Sequence, residues 1–505
     1  MPAPFDADVA IVGAGPTGLM LALCLARQGV SAVLVDGKTE PTRESRAIIL
    51  QARTMELLDQ LGIAGQFTAL ATVATTLRPG FEGEEVAALN LRGLAAGTTP
   101  YPQLLVLEQS QTERLLVEAL ASAGTEVQWG QRFESFETSP DGVTLTLSGP
   151  TGETRLLRAR YCVGADGSSS DVRKALGIPF DGTTNPQSFY VIDATGVTGL
   201  VPDSINIRAG LSGFLLTFPM GSGDHARLLG TVRGESEAAS SEPVVRGQLE
   251  QTFSVRYEKS AWYSTYRVHH RVARRFREGR VFLAGDAAHV HSPVGAQGMN
   301  TGLQDAHNLA CKLADVIRAG AADGVLDRYE AERRPVAQRL IATTDTLFGF
   351  VTSQKRAAQL ARRAIVRTLA PVVADLAPRT RRSSRAFEYL GQVRIHYWMS
   401  DAAKAAAHGH RDDVVGRRLP WNGDNYDCLR EFRWQVHAYG ASAWPDLSPT
   451  RIPTSGLPVF SFPTIRNDLL EAGLLYLVRP DGFVAAAATP DDALEAFLAA
   501  GPVIR

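Results

Sequence analysis

Cysteine is nearly absent. The 505 residues include four, Cys24, Cys162, Cys311 and Cys428, far apart and with no CxxC pair. That excludes a disulfide-stapled scaffold and a cysteine-built zinc cluster. Cys24 and Cys311 fall in helical patterns and Cys162 in a strand pattern, where small buried hydrophobes belong, so a reducing cytoplasm is the expected compartment. An excess of one charge is also missing. With a net charge of -1 there is no basic field, and neither nucleic acid nor an anionic membrane is an expected partner. The local basic clusters, Arg362-Arg363 and Arg379-Thr380-Arg381-Arg382, read as solvated helix faces. No apolar run is long enough to span a bilayer. The first such run, Val9-Ala10-Ile11-Val12, leads into a glycine loop, so no signal peptide is expected. Repeats and low-complexity tracts are lacking as well.

What remains is the profile of a globular protein, 45% hydrophobic and 21% charged, too long for one ordinary core and therefore of two or three domains. Asp8 to Val12 reads as a buried parallel strand, Gly13-Ala14-Gly15-Pro16-Thr17-Gly18 as a turn, and Leu19 to Arg27 as an apolar helix stopped by Gly29. Ala32 to Val35 then forms a second strand ending in Asp36-Gly37, which completes a βαβ unit. Further helices are expected over Arg53–Leu61, capped by Gly62, over Glu113–Ala123, and over roughly 303–400. Between 181 and 270 alternating apolar and polar runs, such as Phe214 to Phe218 and Arg227 to Val232, predict an antiparallel sheet inserted into the nucleotide-binding part. Part of 76–105 is assigned to it. The expected division is therefore 1–180 with 271–400 as one discontinuous domain, 181–270 as a substrate domain, and 405–505 as a small α/β domain.

The glycines carry the chemistry. In the first loop Gly13 permits the tight turn, Gly15 lets a pyrophosphate approach the backbone, and Gly18 lets helix and strand pack closely. The helix N-terminus behind Pro16 and Thr17 offers unpaired amides and its positive dipole end. Asp36, 18 residues beyond Gly18, is placed to accept ribose hydroxyls, and its charge argues against a 2′-phosphate there. A second glycine-rich stretch, Gly285-Asp286 through Gly295-Ala296-Gln297-Gly298-Met299-Asn300, lies at the far end of the same half. Two such loops, remote in sequence, fit a cofactor held at both ends, and FAD meets that demand better than a nicotinamide nucleotide. Asp286 ends a buried strand. An uncompensated carboxylate there would be costly, and a polyhydroxylated partner would remove the cost. His289 and His291 lack nearby cysteines or clustered carboxylates, so no metal is expected.

These motifs together resemble the group A flavoprotein monooxygenases, which include para-hydroxybenzoate hydroxylase, phenol hydroxylase and the aromatic polyketide hydroxylases. The likeness spans nearly the whole chain. Cys162 to Arg173, containing Asp166-Gly167, is similar to that family's "DG" motif, and Gly285-Asp286 to its "GD" motif. Ser292 to Asn300 is similar to the segment that wraps the isoalloxazine, with Pro293 and the backbone from Gly295 to Gly298 near the ring. The resemblance implies that amides around Gly298, Met299 and Asn300 donate to the flavin pyrimidine carbonyl. Where many relatives have Gly-Gly-Gln-Gly this chain has Gly295-Ala296-Gln297-Gly298, and the extra methyl restricts the loop. Arg46 matches an arginine near the flavin and substrate entrance, Arg53 one towards the phosphates, and Gln109 a glutamine on the pyrophosphate or ribityl chain. Arg46 and Pro293 are the residues the resemblance places nearest the reaction.

The implied fold is α/β: a Rossmann-like FAD-binding domain of the para-hydroxybenzoate hydroxylase type, an inserted substrate sheet, and a thioredoxin-like C-terminal domain. That last domain holds only Cys428, so it can perform no dithiol chemistry. The implied activity is hydroxylation of a bulky aromatic, polyketide-like or phenolic, using FAD, NAD(P)H and O2 through a C4a-hydroperoxyflavin, in a monomer or homodimer. A Baeyer–Villiger oxygenase and a non-catalytic aromatic-binding flavoprotein are the alternatives. A flavin-dependent halogenase is disfavoured by the lack of a Trp-x-Trp-x-Ile-Pro motif. Spacing selects no acid or base: Tyr190, Tyr263, Tyr266, Arg208 and Arg227 all read as ordinary sheet residues.

Overall fold

A computed structural model describes residues 4–42, 47–92, 96–211, 213–221, 223–232, 238–291, 296–353, 355–372, 388–389, 391–397, 414–440 and 456–501. Its first sheet is built around the strand Ala7–Val12, whose residues from Val9 to Ile11 are wholly buried. Parallel neighbours flank it on both sides: Ala32–Asp36, in register Val9 to Ala32, and Thr154–Gly164, in register Val9 to Tyr161. Val281–Leu283 extends the sheet, parallel to Thr154–Gly164. Strands buried on both faces need apolar residues throughout, which is what Val9-Ala10-Ile11-Val12 and Val281-Phe282-Leu283 supply. The helices Pro16–Arg27 and Gly298–Ile317 pack together on this sheet and share one continuous apolar core with it. The chain thus runs strand, turn, helix at two places that converge on one edge.

A second sheet of nine strands has Phe180–Thr195 as its longest strand, paired antiparallel with Lys259–Ala273 on one side and Ala226–Thr231 on the other. Gly213–Pro219 and Ile205–Gly210 follow, then Thr76–Phe81 parallel to Ile205–Gly210, with the short strands Glu84–Glu85 and Leu89–Asn90 antiparallel on its outer side. The expectation of an antiparallel sheet is corrected at that point: the chain enters strand Thr76–Phe81 from the other half of the molecule and runs alongside, not against, its neighbour. Nearer the C-terminus Val459–Phe462, Gln435–Tyr439, Leu475–Val478 and Val484–Ala488 form a four-stranded mixed sheet, with Ala493–Ala500 packed on the last strand.

The helices differ from expectation in two respects. Gln109–Ser122 begins four residues before Glu113, and the helix Gly298–Ile317 begins ahead of residue 303, with Gly298, Met299 and Asn300 in its first turn. Arg362 is also corrected. It is not a solvated helix residue but is buried, donating to the carbonyls of Ser353 (2.8 Å) and Leu211 (2.6 Å). Arg379 to Arg382 lie outside the described residues. No helix among the described residues is long and apolar enough to cross a membrane.

Candidate active site

At the end of strand Ala7–Val12 the backbone turns through Gly13, with φ +106°. A Cβ there would sit 2.4 Å from the Ala165 carbonyl oxygen, and one on Gly18 would sit 1.9 Å from the Gly13 oxygen. Gly15 differs: an added Cβ would meet nothing within 4 Å. Gly13 and Gly18 are therefore demanded by the fold, whereas Gly15 leaves open space on the cleft side. The helix Pro16–Arg27 starts with proline in its first turn and no side-chain cap, so its leading amides remain available to an anion. Asp36 supports the turn, accepting from the Ala14 amide (2.7 Å) and the Lys38 amide (2.8 Å).

A cleft of about 870 Å³ runs along this edge, within the size range of cofactor and ligand sites. Of the residues singled out in the sequence, Gly13, Gly15, Pro16, Thr17, Asp36, Gly37, Gln109, Asp166, Asp286, Gln297, Gly298 and Met299 line it. Gly18 and Gly285 stand just behind. Gly285 has φ +60°, and a Cβ on it would lie 2.4 Å from the Thr17 hydroxyl, so the two glycine loops pack against each other. Gln109 donates to Glu113 (2.8 Å), which accepts in turn from the Thr42 amide (3.1 Å). Arg46, Pro293 and Gly295 lie outside the described residues.

Several residues are used otherwise than their sequence context predicts. Arg53 is not brought to the cleft. It is buried against Glu56 (3.0 Å) and donates to the Asp481 carbonyl (2.8 Å), because its helix faces the C-terminal part of the chain. The Asn300 side chain also turns away. Its oxygen accepts from the Gln51 amide (2.9 Å) and the Thr54 hydroxyl (2.7 Å), and its nitrogen donates to Ile49 and Ala296 carbonyls, so only its backbone remains for a ligand. Asp166 caps the short helix Asp171–Ala175, accepting from Ser170, Asp171 and Val172. Burial raises its carboxyl above the usual range despite those bonds. Asp286 is exposed to the cleft and not buried, so the desolvation argument for it fails and its position alone marks it.

The buried carboxylate is one that sequence patterns did not single out, Asp305, with no exposed surface. It accepts from His289 Nε2 (2.6 Å), Arg333 Nε (2.7 Å) and the Gly285 amide (3.2 Å). Burial opposes its ionisation, but Arg333 and His289 outweigh burial and hold it below the usual carboxylate range. The far part of the cleft has apolar walls, Leu216, Phe218, Leu229, Val268 and Val290, with Arg227 and Tyr266 among them. Arg227 is buried and bidentate on Asp193 (2.6 and 2.6 Å), with Glu108 at 3.6 Å. Its place in the cleft was invisible in a strand that otherwise reads as plain sheet. Arg208, Tyr190 and Tyr263 do not line the cleft; Arg208 donates to the Glu84 carbonyl and Tyr263 to that of Ser240.

The donor set suits FAD: two helix N-termini with backbone amides, strand-end carboxylates between them, and a glycine whose missing Cβ leaves room for a pyrophosphate. Residues 6–344 match the model of the FAD binding domain family, and the chain belongs to that family. It is 35% identical over 367 residues to 6-methylpretetramide 4-monooxygenase of Streptomyces rimosus, covering 71% of this chain and 65% of that protein. The chain thus spans just under two thirds of that relative's length. A rifampicin monooxygenase of Rhodococcus hoagii is 31% identical over 495 residues, covering 95% of this chain and 94% of its own. Among solved structures, the anhydrotetracycline hydroxylase of Streptomyces rimosus superposes with a TM-score of 0.77 at 29% identity, covering 97% of this chain and 98% of that one.

Proposed function

We propose that this chain is an FAD-dependent, NAD(P)H-using monooxygenase that hydroxylates a bulky aromatic substrate, with a polyketide-like polycycle favoured over a simple phenol. The observation that carries the reading is a single cleft, glycine turn and helix N-termini at one end, apolar walls at the other. When bound, FAD supplies acceptance of hydride from the nicotinamide and activation of O2 for transfer of one oxygen atom to the ring. Gly13, Gly15 and the amides behind Pro16 and Thr17 would hold its pyrophosphate, with Gln109 alongside. Asp36 and Asp286 would accept its sugar and ribityl hydroxyls. The amides of Gly298, Met299 and Asn300, at the positive end of a 20-residue helix, would stabilise negative charge on the reduced pyrimidine ring. Arg46, Pro293 and Gly295 are assigned to the flavin by sequence resemblance. Leu216, Phe218, Leu229, Val268 and Val290 would exclude water from the aromatic ring.

In the same reading, 181–270 with strands from 76–105 is the substrate-binding insertion, and 405–505 is a thioredoxin-like domain of structural role. There the Cys428 thiol is pushed up to about 12 by burial, which suits an inert position. The enzyme is expected in the cytoplasm as a monomer or homodimer. The test is to purify the protein, confirm bound FAD by its visible spectrum, and screen polycyclic phenols for stimulation of NAD(P)H oxidation under ¹⁸O2. A phenol carrying one ¹⁸O supports the reading. A labelled lactone replaces hydroxylation by Baeyer–Villiger chemistry, and a yellow protein that no aromatic stimulates is a binder.

A further inference from the structure

We propose that Asp305 is a positioning residue that fixes the segment Gly285–His289 so that the Asp286 carboxylate points at the cofactor; this rests on the reading of Asp286 as a flavin-binding group. The segment is short, and hydrogen bonds hold its backbone and its His289 ring at several points, while Asp286 lies on the cleft wall. At its start the Gly285 amide donates to Asp305 Oδ2 (3.2 Å), and at its end His289 Nε2 meets the same oxygen (2.6 Å). One carboxylate oxygen therefore closes a loop of five residues. Between these anchors the Ala287 carbonyl accepts from Arg173 Nη1 (2.8 Å), and the Ala288 amide donates to the Gly285 carbonyl (2.8 Å). The His289 ring stacks on Phe276 with centroids 5.9 Å apart. Asp286 alone is exposed, on the cleft wall.

The arrangement is costly unless it serves geometry. Asp305 has no exposed surface and is tolerated because Arg333, itself buried, donates to its second oxygen (2.7 Å). Arg333 also reaches the Thr301 carbonyl (3.3 Å), in the first turns of the helix Gly298–Ile317. Asp305 belongs to that same helix. The group that locks the Asp286 loop is thus rigidly connected to the helix whose N-terminus faces the other end of the flavin site. A carboxylate meant to meet a hydroxyl must be held within a fraction of an ångström, and supporting hydrogen bonds of this kind supply that precision.

The experiment is a double-mutant cycle on FAD binding, followed by quenching of flavin fluorescence on titration into apoprotein. Asp286→Asn is expected to weaken binding about tenfold, the loss of roughly one good hydrogen bond to a charged group. Asp305→Asn combined with Arg333→Gln, which removes both buried charges together, is expected to weaken it by a similar factor. If Asp305 acts through Asp286, adding Asp286→Asn to that pair weakens binding less than about twofold further, since coupled residues are non-additive. Losses that multiply, to about a hundredfold, overturn the proposal and leave Asp305 a mere support of the fold. His289→Gln keeps the Asp305–Arg333 pair and carries the same cycle should the charge-pair variant not fold. If Asp286→Asn has no effect on FAD, the assignment of the site itself is wrong, which is a separate failure.

Discussion

Glu56 and Arg418, 362 positions apart, meet in a buried hydrogen-bonded ion pair of 2.7 Å. Glu56 also accepts from Thr99 (2.7 Å) and pairs through its other oxygen with Arg53 (3.0 Å), so one carboxylate neutralises two buried guanidinium groups. Replacing it with glutamine keeps the shape but strands both cations. Glu56→Gln should destabilise the protein by about 3–5 kcal/mol, the usual cost of breaking a buried pair from one side. Urea denaturation of wild type and variant would check this, and a loss below about 1 kcal/mol contradicts the buried network.

The three glycines of the first turn should separate fold from function. Gly13→Ala forces an L-residue to φ +106° with its Cβ against a backbone oxygen, and strain of that kind costs about 1–3 kcal/mol or more. Gly15→Val places its bulk in open space beside the proposed pyrophosphate site. It should leave the circular dichroism melt of the apoprotein within about 1 kcal/mol of wild type. FAD affinity should fall about a hundredfold, some 3 kcal/mol. A Gly15→Val protein that binds FAD normally would put the pyrophosphate elsewhere.

That first turn was readable because its logic is local: strand, three glycines and helix lie within thirty residues, and each glycine has a distinct steric reason. Arg53 pairs with Glu56 only three positions on, but a basic residue at a helix start can serve such a carboxylate or a phosphate equally, and its other partner, the Asp481 carbonyl, lies 428 residues away. Asn300 sits in a recognisable stretch, yet its side chain serves the packing of Gln51 and Thr54, a long-range demand. Asp305 was missed for the reverse reason. It is polar on a helix buried almost all round, and its partners, 16 to 28 residues distant, share no motif with it. Local backbone chemistry was legible, while buried ionic partnerships that cross the chain were not.

Asp315 predicts a pH dependence of opposite sign to the usual acid denaturation. It lies near the end of the helix Gly298–Ile317 with both oxygens near Trp434 Nε1 (3.2 and 3.2 Å), and burial raises its carboxyl from 3.8 to about 6, against the Trp434 bond and the nearby Lys312 and Arg479. A carboxyl whose folded-state value is raised binds its proton more tightly in the native state. Stability contributed by this group is therefore present below about pH 4 and lost as pH rises towards 6. Near neutrality the ionised group costs on the order of 3 kcal/mol. Asp315→Asn keeps an acceptor for Trp434 and should gain up to that amount at pH 7, with little change at pH 4. Equal stability gains at both pH values would show that Asp315 is not the titrating group.

Ala296 has φ +51°, two residues before the helix Gly298–Ile317, and lines the cleft. A residue with a Cβ in that region is disfavoured by about 1 kcal/mol, whereas glycine adopts it freely. Its methyl packs only at the edge of a small apolar cluster with Phe218 and Ile48, so little contact is lost on removing it. Ala296→Gly should therefore raise stability by about 0.5–1 kcal/mol, measured as a higher thermal midpoint of the apoprotein. The same change frees the backbone beside Gln297 and Gly298, which line the proposed flavin site. In the proposed reaction that should show as a larger fraction of NAD(P)H oxidised without product, read from the ratio of nicotinamide consumed to phenol formed. A lower thermal midpoint for Ala296→Gly would mean that the methyl contact outweighs the backbone strain, and the loop is held by packing instead.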